Sequence, residues 1–73
     1  MNDNINKIIN RLETYNLMIS CRGEVGLSVI YDITGKLNNE NISANINHYN
    51  TGKIIVQGVD SSKVSALIDD LLS

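Results

Sequence analysis

Residues 41–57 read NISANINHYNTGKIIVQ, and the reading of this stretch decides the fold. From 41 to 49 the side chains alternate, with Ile42, Ala44, Ile46 and His48 against Ser43, Asn45, Asn47 and Tyr49. A period of two with one apolar and one polar side marks a half-buried strand. Asn50-Thr51-Gly52 then supplies a tight turn whose glycine takes a positive φ at no steric cost. Residues 53–57 resume the alternation, with Ile54 and Val56 inward and Lys53, Ile55 and Gln57 outward. Two alternating runs across a short turn make an antiparallel hairpin with one apolar face.

The same period extends upstream. Residues 17–22 alternate as Leu17, Ile19 and Cys21 against Met18, Ser20 and Arg22, with Gly23 as a break. Residues 24–34 alternate as Val25, Leu27, Val29, Tyr31 and Ile33 against Gly26, Ser28, Ile30, Asp32 and Thr34, which predicts one continuous strand. Residues 35–39 read as a loop. At both ends the period changes to that of a helix. Ile5, Ile8, Ile9, Leu12 and Tyr15 share one face of a helix predicted over 3–16, with Asn2 or Asp3 to cap it. Val64, Leu67, Ile68 and Leu71 share one face of a second helix over 61–72, capped by Asp60 or Ser61. The expected fold class is α+β: a four-stranded antiparallel sheet with two helices on one face, in the order α-β-β-β-β-α, as one domain over 1–73. Single-faced helices and a single-faced sheet bury each other as two layers.

That layering leaves the second sheet face uncovered. It is expected to expose Met18, Ser20, Arg22, Ser28, Ile30, Asp32, Ser43, Asn45, Asn47, Tyr49, Lys53, Ile55 and Gln57. A solvated sheet face is one reading of this surface. The other is a docking face, in which short amides and hydroxyls adapt their hydrogen bonds around a few apolar anchors. The candidate binding residues are Arg22, Ser28, Ile30, Asn45, Asn47, Tyr49, Lys53, Ile55 and Gln57. In a simple meander the fourth strand lies at the sheet edge, where Lys53 to Gln57 form a β-prone template for pairing; either Lys53 and Gln57 act as gatekeepers or a partner chain or second copy covers the edge.

Composition narrows the function. The 73 residues carry six Lys and Arg against eight Asp and Glu, a net charge of −2, where a free-standing nucleic-acid binder has a basic excess. There is no Trp and no Phe, so three tyrosines are all that could stack on bases. One cysteine, Cys21, excludes an internal disulfide, and the Met-Asn-Asp-Asn start shows no secretion signal, so the expected setting is cytoplasmic. No apolar run is long enough to span a bilayer.

Chemistry finds little foothold. Cys21 and His48 both have inward parity and read as a small buried thiol and a histidine at a strand end, not as a nucleophile and its base. Structural zinc needs four ligands, and one Cys with one His falls short, so neither metal nor cofactor is expected. Asp69 and Asp70 are adjacent on a helix, diverge by about 100°, and read as a solvated end. Thr51-Gly52-Lys53 lacks the upstream glycines of a phosphate loop and opens a strand, not a helix.

Tyr49-Asn50-Thr51-Gly52-Lys53-Ile54-Ile55-Val56-Gln57-Gly58 resembles the Tyr-x-Ser/Thr-Gly-Lys-x-x-x-Gln-Gly segment of TBP-like domains, which are built like half of a TATA-binding protein. Such modules occur at the N-terminus of type III ribonuclease H and, repeated, of RNase LS-type toxins. The likeness to the toxin module extends over residues 17–34 and the helix after Gly58. The resemblance implies a helix, a curved four-stranded sheet and a helix. It also implies a non-catalytic module that serves nucleases, and it would place Tyr49, Lys53 and Gln57 near an RNA/DNA hybrid. Charge and resemblance together give two expectations. The first is a non-enzymatic protein-binding module that regulates or inhibits a nucleic-acid-processing enzyme, in a toxin–antitoxin or phage counter-defence setting. It would dock through its open face or edge, with homodimerisation through the fourth strand as a further option. The second is an accessory domain that binds RNA or RNA/DNA hybrid.

Overall fold

The computed structural model describes residues 4–72. The chain runs α1 (Asn4–Glu13), β1 (Met18–Val25), β2 (Ser28–Leu37), β3 (Glu40–Tyr49), β4 (Ile54–Gln57) and α2 (Ser61–Leu72). The four strands form one antiparallel meander in the order β1-β2-β3-β4. Both helices pack on the same side. Ile5, Ile8 and Leu12 of α1 and Val64 and Ile68 of α2 close over Leu17, Ile33, Ile42, Ala44 and Ile46. The α+β layout expected from periodicity is the observed one. No helix among the described residues is long and apolar enough to cross a membrane.

α1 stops because of how its last turn is tied. Asn16 takes a φ of 64°, its N–H donates to Glu13 O at 2.9 Å, and the Leu17 N–H reaches back to Leu12 O at 3.4 Å. These paired bonds are a Schellman cap, with Leu12 and Leu17 as its apolar contact. The helix therefore ends before Tyr15, which was expected on the buried face and is exposed. The expected cap at Asn2 or Asp3 lies outside the described residues.

Three turns differ from the sequence reading in instructive ways. The run 24–34 is not one strand: the chain reverses at Gly26-Leu27, between the paired residues Val25 and Ser28. Gly26, at φ 63°, supplies the first position of a two-residue hairpin turn. A bulge at Arg22, between the pairs Cys21–Tyr31 and Gly23–Ile30, then flips the parity of the end of β1. Val25 and Leu27, expected inward, are consequently exposed, at 53% and 70%. Residues 35–37 belong to β2, and the loop is only Asn38-Asn39, both at positive φ as a type I′ turn demands. Asn50-Thr51-Gly52 does form the predicted turn, with Tyr49 N–H donating to Lys53 O at 2.8 Å and Gly52 N–H to Tyr49 O at 2.9 Å.

Cys21 is also corrected: it lies on edge strand β1 and is exposed rather than a core thiol. On the other sheet face the correction runs the opposite way. Ser28, Ile30 and Asn47, expected to be exposed, are only 8%, 8% and 7% accessible. No helix covers them, so neighbouring side chains of the same face shield them.

The crossing from β4 to α2 is held by Asp60. Its N–H donates to Ser43 O at 3.1 Å, and its carboxylate accepts from Ser43 N–H at 2.8 Å. One residue thus extends the ladder on β3 beyond the last β4 pair, Asn45–Gln57. Asp60 is at the N-cap position, since its carbonyl accepts from Val64 N–H at 3.1 Å. Its side chain, however, bonds to the sheet and pairs with Lys63 of α2 at 3.7 Å, and does not cap the N–H groups of the helix. α2 bends at Ile68, which has φ −125° and ψ 16°. Arg11 meets that bend: its Nη1 donates to Leu67 O at 3.0 Å and to Asp70 Oδ1 at 2.8 Å, and its Nη2 to Asp70 Oδ2 at 3.0 Å. Asp70, exposed as expected, is therefore also a clamp to α1. The guanidinium lowers the Asp70 carboxyl below its ordinary pKa, chiefly through this hydrogen bonding.

Candidate functional site

Strand register sorts the open face into rows. One row aligns Gly23, Ile30, Asn47 and Ile55 across the four strands. Beside it stand Ser20, Asp32, Asn45 and Gln57. On its other side lie Val25, Ser28 and Tyr49, with Lys53 bonded to Tyr49. All nine candidate binding residues are brought together at this face.

An amide cluster occupies its centre. Asn47 Nδ2 donates to Asn45 Oδ1 at 3.1 Å and to Gln57 Oε1 at 3.0 Å. Both hydrogens of one nearly buried amide are thus spent on two neighbours that are more accessible. The cluster is fixed internally, and Asn45 and Gln57 keep their own N–H groups on the accessible side. Ile30 and the half-buried Ile55 flank Asn47. The Ser28 hydroxyl donates to Val25 O at 3.2 Å and so is committed to the hairpin.

One pair of charges on this face neutralises itself. Arg22, projected by the bulge, makes a two-pronged pair with Asp32: Nε donates to Oδ2 at 3.0 Å, and Nη2 donates to Oδ1. This hydrogen bonding lowers the Asp32 pKa and raises that of Arg22. The shift keeps the carboxylate ionised to lower pH than an ordinary aspartate, so acid must reach below that range before the pair is lost. Of the two cations expected on the face, only Lys53 is outside an ion pair among the described residues.

At one end of the sheet the β1–β2 turn and the β3–β4 turn flank an open groove of about 300 Å³, lined by Glu24, Leu27, Val29, His48, Tyr49 and Asn50. Leu27 adds apolar surface there that alternation had assigned to the core. The missed signal was Gly26: glycine followed by any residue is the pattern of a two-residue hairpin turn. The structure does not join Cys21 to His48. Cys21 shares a row with Tyr31 and Ile46, and His48 shares the next with Val29 and Ile54, two strands away. Burial, with a smaller contribution from Cys21, raises the Tyr31 phenol above its usual pKa. Among the described residues no group of three or more His, Cys, Asp or Glu is placed to hold a metal ion.

No protein-family model matches this chain, and no curated protein or solved structure shows significant similarity to it.

Proposed function

We propose that the chain is a small non-catalytic module that binds a protein through its open sheet face, and that its partner is a nucleic-acid-processing enzyme which it regulates or inhibits. The observation that carries this reading is the commitment of Arg22 to Asp32. It leaves a face of amides and apolar groups on which Lys53 and, toward the β2–β3 turn, Lys36 are the cations outside an ion pair among the described residues. Nucleic acid draws most of its affinity from unpaired Lys and Arg, and this surface offers little of that. A protein surface, in contrast, is met by apolar anchors inside a rim of adaptable hydrogen bonds. Ile30, Ile55, Val25 and Leu27 supply the anchors. Asn45, Gln57 and Tyr49 supply the polar contacts. The class of partner rests on the likeness of residues 49–58 to modules of nucleases, and a toxin–antitoxin or phage counter-defence setting suits a regulator of this size.

Binding of RNA or hybrid is the second reading, favoured by Tyr49 and Lys53 lying together on the face. Titration of the chain with single-stranded RNA, duplex DNA and RNA/DNA hybrid, across a series of salt concentrations, separates the two. The expected result is binding weaker than about 100 μM at physiological salt, within the range of non-specific contacts, with a log–log salt slope of about one. Submicromolar affinity with a slope of about four or more would replace the protein-binding reading with the nucleic-acid one.

A further inference from the structure

The edges of the sheet are unequal. β1 is interrupted by the Arg22 bulge and carries charged side chains at Arg22 and Glu24, both devices that discourage pairing. β4 has neither bulge nor proline, and it pairs with β3 on one side only. Its hydrogen-bond phase follows from the turn. Because Tyr49 N–H bonds to Lys53 O, the alternation of an antiparallel ladder turns Ile55 and Gln57 back toward β3. The N–H and C=O of Ile54 and Val56 then point to the open side.

We propose that this edge pairs antiparallel with β4 of a second copy, about a two-fold axis through Ile55. The register is self-complementary in three independent ways. Ile54 meets Val56 of the other copy, and both have their backbone groups outward, so four hydrogen bonds close across the axis. Ile55 meets its own counterpart in the closer-spaced, non-bonded position, on the open face. Lys53 meets Gln57, so no like charges oppose one another. The helix layer agrees with this arrangement. α2 lies over β3 and β4 and turns Asp70 and Leu67 toward Arg11. At about 100° per residue the opposite flank of its first turns, above the open edge, carries Ser61 and Ser65. The product is a continuous eight-stranded sheet with a closed, isologous interface. It joins two open faces into one. The inference holds whatever docks on that face.

A four-residue strand makes a small interface, so association belongs to the weak class, with a Kd of roughly 10–100 μM. Sedimentation velocity on the full chain across that range, with amide hydrogen exchange on the same samples, tests it. A monomer–dimer equilibrium is expected, with protection of the Ile54 and Val56 amides that grows with concentration. Gln57→Glu would set two carboxylates against the two Lys53 side chains and tighten the dimer about three- to tenfold at low salt. Gln57→Lys would weaken it by a similar factor. Neither substitution touches the helix-covered core; Gln57→Glu keeps the acceptor for Asn47 N–H and Gln57→Lys removes it, so circular dichroism and urea unfolding of both variants are compared, and tightening by Gln57→Glu separates register from folding. A chain that stays monomeric at millimolar concentration overturns the proposal. So does a dimer indifferent to both substitutions, or one whose Ile54 and Val56 amides exchange freely.

Discussion

Ile33→Ala is expected to leave the chain largely unfolded at room temperature. Ile33 is fully buried on β2, paired with Ile19 and Ala44 and closed over by both helices. Its truncation loses the transfer free energy of the side chain and leaves a cavity that rigid strands on both sides keep open, together about 3–5 kcal/mol. A chain of this length without a disulfide rarely has more than about 3–5 kcal/mol in total. Ile30→Ala is the matched control. Ile30 is nearly as buried but faces no second layer, so the space refills or hydrates and the loss is nearer the transfer value alone, about 2 kcal/mol. Urea unfolding of both variants checks the pair. Equal losses would mean that the helix layer contributes nothing special at Ile33.

Gly58→Ala is expected to cost nearly as much, about 2–4 kcal/mol. Gly58 adopts φ 110°, and a Cβ added there would stand 2.9 Å from the Cα of Ala44 and 3.4 Å from the Ser43 carbonyl oxygen. Both are backbone atoms of β3 and cannot rotate away. The corner must keep this approach, because Asp60 two residues on bonds both backbone groups of Ser43. Relief of the clash would pull those bonds apart and lift the start of α2. A loss under about 1 kcal/mol by the same urea measurement would show that the corner yields easily.

What was legible in the sequence depended on how local the cause was. Alternation along 41–57 assigned Ile42, Ala44 and Ile46 to the core and Asn45, Asn47 and Gln57 to the other face, because parity is a property of the strand itself. The reversal at Gly26-Leu27 was hidden for a related reason. Val25, Leu27 and Val29 continue an apolar alternation through the turn, so the period shows no break. The bulge at Arg22 had one local sign, Gly23 at φ 110°, which read as a break in the strand and not as a bulge within it. Gly35 looked like the start of a loop, yet it is a strand residue over which Leu17 packs: a Cβ there would meet Leu17 Cδ2 at 3.0 Å. The burial of Ile30 and Asn47 is least local of all. It arises from side chains of several strands converging on a face that has no second layer.

The candidate site shows the same division. Parity collected its nine residues on one face. It could not foresee that Asn47 would bond to both Asn45 and Gln57, or that Arg22 would be bound by Asp32. The first contact fixes the amides in place and the second pairs the charge of Arg22, and both support the proposed protein partner.

Photo-crosslinking in the native host tests whether the open face meets a protein. A photoreactive amino acid replaces Ser20 or Asn45 on the open face, or Asn6 or Ser62 on the helix layer as controls. A discrete protein adduct is expected from Ser20 and Asn45, identified as a nucleic-acid-processing enzyme, and none from Asn6 or Ser62. Adducts that run as nucleic acid and vanish on nuclease treatment, or protein adducts that form only from the helix layer, would contradict the protein-binding reading.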